Sequence, residues 1–150
     1  MSENHIRGIS VTLALLDKAL CEFERWAKND ETRSVLYEIR NTLSEEQQNG
    51  ILLEVSAMKK VLLELRGALK LEPTIRRVPN MIASSCGVLW ASLVELETRR
   101  LRRYGEVPPT LTEILEPRVP ILIDRLHRIG RLASRGTYQH VSVHQGDVED

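Results

Sequence analysis

Apolar side chains recur at spacings of three and four residues along almost the whole chain, and that period belongs to helices that bury one face. Leu13, Leu16, Leu20, Phe23 and Ala27 set a first helix over about residues 10–28. Asn29 and Asp30 are N-cap residue types, and Glu31 would lie in the first turn of a helix they open. The stripe that follows is Leu36, Ile39, Leu43, Gln47, Ile51, Val55, Met58, Leu62, Leu65 and Leu69. Its phase never slips by half a turn, which predicts one very long helix of about forty residues, on the order of 60 Å. Residues 44–50 strain this expectation: Gln47 alone occupies the stripe there, and Asn49-Gly50 is a turn dipeptide.

Pro73 ends the second helix and Pro79 opens a third. The third helix is expected to continue to Tyr104 and to stop at Gly105. Pro108-Pro109 enforces an extended stretch, and Thr110 to Glu113 reads as a capping box for a short turn closed by Pro117. A fourth helix follows, with the stripe Val119, Leu122, Leu126, Ile129 and Ala133. Beyond Ser134 no stripe is visible and the chain turns acidic, which predicts a mobile tail. The expected fold class is therefore all-α: an antiparallel bundle of four main helices, one very long, plus a short helical turn. The bundle spans residues 1–134 and a flexible C-terminal tail spans 135–150.

A chain of 150 residues suits one domain whose core needs no metal, disulfide or cofactor to hold it. Cys21 and Cys86 stand alone, with no Cys or His at ligand spacing, and thiols of this kind suit a reducing cytosol. Residues 9–16 (ISVTLALL) imitate a short export signal, but Asp17 and Lys18 interrupt them and no cleavage site follows. No apolar run reaches the length of a membrane span. The expectation is a soluble, cytoplasmic protein without a membrane partner.

The 21 basic and 21 acidic residues cancel, which disfavours a chain that coats nucleic acid. Their distribution is uneven. Residues 1–75 carry 10 basic and 12 acidic groups, whereas residues 76–135 carry 11 basic and 6 acidic groups, and every one of those 11 is Arg. Arg99, Arg102 and Arg103 are the candidate anion-binding residues, since guanidinium groups hold phosphates and carboxylates in bidentate fashion. The same cluster also suits a helix C-terminus, where cations complement the macrodipole. Glu97 and Arg100 fall near the apolar stripe of the third helix and are the candidate interhelical polar pair. On the far side of that helix Ser84, Gly87 and Ala91 form a ridge of small residues, a candidate partner interface.

Catalytic motifs are missing. There is no GxSxG elbow, P-loop, HExxH or GxGxxG. Asp124 and His127 stand three apart, but the helices expected from the stripes hold no second His to complete a metal site. No cofactor and no metal are expected. The leading reading is a non-enzymatic helical protein that binds a protein partner or itself, as a homodimer for example. Its alternatives are anion or nucleic-acid binding through the Arg-rich end of the third helix, and an enzyme with a polar site between helices.

Overall fold

The computed structural model describes residues 2–143, with side chains described through position 135. The protein is all-α, as the periodicity requires, with the four long helices present. It divides into two compact units, Met1–Thr74 and Ile75–Asp150.

The first unit pairs α1 (Glu3–Ala27) with α2 (Glu45–Leu69). α1 begins seven residues earlier than its stripe suggested, because Ser2 caps it by accepting a hydrogen bond from the His5 N–H. Asn29 ends it in the left-handed region, φ 66°, a conformation Asn tolerates better than most residues. It is not the N-cap of a second helix. Asp30 folds back instead to accept two hydrogen bonds from Arg25, at 3.1 and 2.8 Å.

The forty-residue helix does not form. Its first third is a small antiparallel ladder, β1 (Thr32–Arg33) against β2 (Glu38–Ile39), pairing Thr32 with Ile39 and Arg33 with Glu38. Thr32, Val35, Ile39 and Thr42 are β-branched and resist helix. Leu36, counted on the helical stripe, stands 98% exposed at the tip of the turn. α2 starts at a capping box: the Ser44 hydroxyl accepts from the Gln47 N–H while the Gln47 side chain accepts from the Ser44 N–H. Asn49-Gly50, the suspected break, lies inside α2.

The two helices run antiparallel. The end of α1 meets the start of α2 through Gln48 and Asn29, and Lys59, eleven residues further along α2, reaches back to Glu24. Leu20, Ala27 and Val55 are the buried side chains of this unit.

The second unit pairs α3 (Val78–Val94) with α6 (Val119–Val143), again antiparallel. Cys86 faces Gly130 and Trp90 faces His127, ring centroids 6.1 Å apart. α3 was expected to reach Tyr104. It stops ten residues short because Glu97 takes an extended conformation (ψ 138°). A single turn, α4 (Thr98–Leu101), and a 3-10 turn (Arg102–Tyr104) follow. Gly105 does end this segment, at φ 127°, where a side chain would be strained. α5 (Pro109–Leu115) starts at Pro109 with Pro108 before it and has no side-chain cap, so the capping box expected at Thr110 is absent. α6 extends to Val143, past the expected boundary at Ser134. The rest of the expected tail, residues 144–150, lies outside the described residues. Val119 is the one buried hydrophobic side chain among those described in this unit.

Candidate interaction surface

The charge map of α3 is its most unusual property. None of its 17 residues is charged. A surface helix carries charge on its outer side, whereas a helix without charge on any side belongs inside something. Yet within its unit α3 packs chiefly on α6, and much of its apolar surface is exposed. Val88 is 69% exposed, Leu89 52% and Trp90 44%.

The flanks follow from about 100° of rotation per residue. On α6 the part-buried series is Ile123, Leu126, Gly130 and Ala133, continuing from buried Val119 at spacings of four and three. Leu122 and Ile129, assigned to the core stripe from sequence, lie to one side of it and are about half exposed. On α3 part-buried Cys86 and Leu93 face inward, and exposed Ile82 and Leu89 occupy the neighbouring flank. Because the helices are antiparallel, that flank of α3 and the Leu122–Ile129 flank of α6 open on the same side of the hairpin. Together they form a largely apolar face that Arg125 interrupts on α6.

The opposite side of this hairpin is a shallow groove of about 550 Å³ whose lining includes Gly87, Trp90, His127, Arg131 and Ser134. The small-residue ridge borders this side. Ser84, Gly87 and Ala91 are all exposed, and a Cβ on Gly87 would meet nothing within 4 Å.

The arginine cluster is largely occupied by carboxylates. Arg99 donates to Glu97 at 2.9 Å, and Arg103 lies 3.7 Å from Glu95. Arg102 alone of the three makes no ion pair among the described residues. Arg100 donates to Glu95 at 3.3 Å and not to Glu97. The expected Glu97–Arg100 pair is thus exchanged for two others, because the chain bends at Glu97 and the helical spacing that would have joined them is lost. Glu97 sits in the α3–α4 connection, and Arg100 lies in the single turn of α4. Glu97 also lines a groove of about 520 Å³ with Thr98, Glu116, Asp124 and His127. Among the described residues no three His, Cys, Asp or Glu side chains come together as metal ligands, and both cysteines are free thiols.

The first hairpin has its own open apolar groove, about 440 Å³, lined in part by Leu16, Phe23, Ile51 and Met58. Its other side is polar. Glu24 accepts from Lys28 and from Lys59, at 2.8 and 2.6 Å. These two hydrogen bonds, then the two ammonium charges, hold the Glu24 carboxyl down at about 2 against an ordinary 4.5. Lys59 is raised in turn, chiefly by its hydrogen bond to Glu24, and Arg25 is raised by Asp30.

Leu122 and Ile129 were read from sequence as core residues, not as a surface. The signal that marks them is stripe width: on each helix the apolar sector is wider than one neighbouring helix can cover. No helix among the described residues is long and apolar enough to cross a membrane. No protein-family model matches the chain, and no curated protein or solved structure matches it.

Proposed function

We propose that the protein works by binding protein through the open apolar faces of its helical hairpins, without catalysing a reaction. The observation that carries this reading is the uncharged helix α3, with Val88 and Leu89 left in water. Units of about 75 residues draw at most about 3–5 kcal/mol from a core of their own. Here the hydrophobic side chains buried among the described residues are Leu20, Ala27, Val55 and Val119. Each hairpin therefore gains by having its apolar face covered, and another helical surface covers it at the lowest desolvation cost.

A photo-crosslinking amino acid placed at Leu89 or at Phe23 in the cell of origin tests this reading. Discrete protein adducts are expected from both positions and not from Lys60, which is exposed on α2. Adduct patterns at Leu89 and Phe23 no different from that at Lys60 would refute it.

A further inference from the structure

Resting on that reading, we propose that the open flank of α3 and α6 is covered by the same flank of a second copy of this chain. α6 of each copy then lies along α3 of the other, and the four helices close into an antiparallel bundle.

Charge selects this arrangement. The exposed sector of α6 carries Arg125 beside Leu122 and Ile129, and among the described residues α6 takes part in no ion pair. A two-fold axis across the helices would stack α6 on α6 and bring guanidinium groups face to face. A two-fold axis along the helices stacks α6 on the α3 of the other copy instead, which has no charge to repel or to strand. The matching sector of α3 presents Ser85 and Ser92 beside Ile82 and Leu89. The Ser92 hydroxyl donates back to the Val88 carbonyl at 3.4 Å, so its lone pairs remain to accept from a guanidinium. The surface is thus complementary to itself in the sense that an isologous dimer requires.

Area supports the same occupant. α3 limits the overlap to 17 residues, or about 26 Å at 1.5 Å per residue. Two helices about 10 Å wide give about 500 Å² per copy, so about 1,000 Å² in total, the lower bound for a specific interface. A reversible dimer in the micromolar range is what such an area provides.

Sedimentation equilibrium of the full chain between 1 and 500 µM tests the proposal, with two substitutions that separate charge from bulk. Leu89→Arg sets a cation against Arg125 of the other copy and should weaken the dimer at least about 100-fold. Leu89→Glu pairs with that Arg125 and should cost less than about 10-fold, with a steeper dependence on salt. Leu89 is half exposed, so circular dichroism should be unchanged in both, and Ile129→Arg repeats the test should Leu89→Arg lose helix. Wild-type protein that stays monomeric throughout overturns the proposal, as does equal weakening by Leu89→Arg and Leu89→Glu. If the monomer still forms adducts with another protein at Leu89, only the second copy is wrong. If it forms none at Leu89 or Phe23, the protein-binding reading falls as well.

Discussion

The two hairpins solve the same packing problem with different materials. α1 and α2 carry charge on their outer faces and lock one flank with Glu24, Lys28 and Lys59. They meet through large side chains, with Leu20 and Val55 buried. α3 and α6 approach across small ones, Cys86 against Gly130; the charge is confined to α6, where Arg predominates. The difference teaches what each helix is prepared to face. A charged outer surface specifies water. A helix with no charge specifies neighbours, and within its unit α3 packs chiefly on α6.

Breaking the first hairpin at its centre should give the largest effect. Leu20 is 1% exposed, and Leu20→Ala removes its burial and leaves a cavity, a loss of about 3 kcal/mol by urea denaturation. Leu122→Ala on the open flank of α6 should cost less than about 1 kcal/mol in dilute protein, because that side chain is already half in water. Equal losses at the two sites would erase the distinction between core and open flank.

Glycines sharpen the comparison. A Cβ on Gly50 in α2 would meet nothing within 4 Å, whereas a Cβ on Gly130 would lie 3.7 Å from the Cys86 Cβ, an ordinary contact. Gly50→Ala should therefore stabilise by about 1 kcal/mol through helix propensity alone. Gly130→Ala should gain no more than that, and Gly130→Leu should lose stability by forcing α3 and α6 apart. Thermal melts of the three variants check the order.

The acid response should belong to the first hairpin. The folded Glu24 pKa lies below its unfolded value, so its contribution is complete above about pH 4.5 and is lost as pH falls towards about 2. Glu24→Gln should flatten the pH dependence of stability in that window, as followed by circular dichroism, and should leave the helix content at neutral pH unchanged. The smallest effect is expected at the small-residue ridge. Ala91→Arg lies on the flank away from Leu89 and should leave the sedimentation behaviour of the wild type intact; a dissociated Ala91→Arg protein would move the interface to Ser84, Gly87 and Ala91.

Much of the fold is written in the period of the sequence, and its failures have local causes. Phase continuity from Leu36 to Leu69 suggested one helix, but phase says nothing about whether helix is the more stable conformation. β-branched residues at 32, 35, 39 and 42 decided that locally, and the Ser44–Gln47 capping box, a legible signal, marked the true start. The stop at Glu97 had no comparable mark, since neither Gly nor Pro stands there. At the candidate surface the absence of charge along residues 78–94 was readable from the letters, and so was the run of arginines. Which carboxylate each arginine holds was not, because Glu95 and Glu97 exchange partners once the chain bends. Nor was the shared side on which Leu89 and Leu122 lie, which depends on the antiparallel packing of α3 on α6.

Amide hydrogen exchange in α3, followed as the wild-type protein is concentrated from 1 to 500 µM, addresses the uncovered helix most directly. Covering of the open flank predicts that protection of residues 82–93 rises at least about tenfold over that range, while α1 near Glu24 changes little. Exchange in α3 that is the same at every concentration would contradict it.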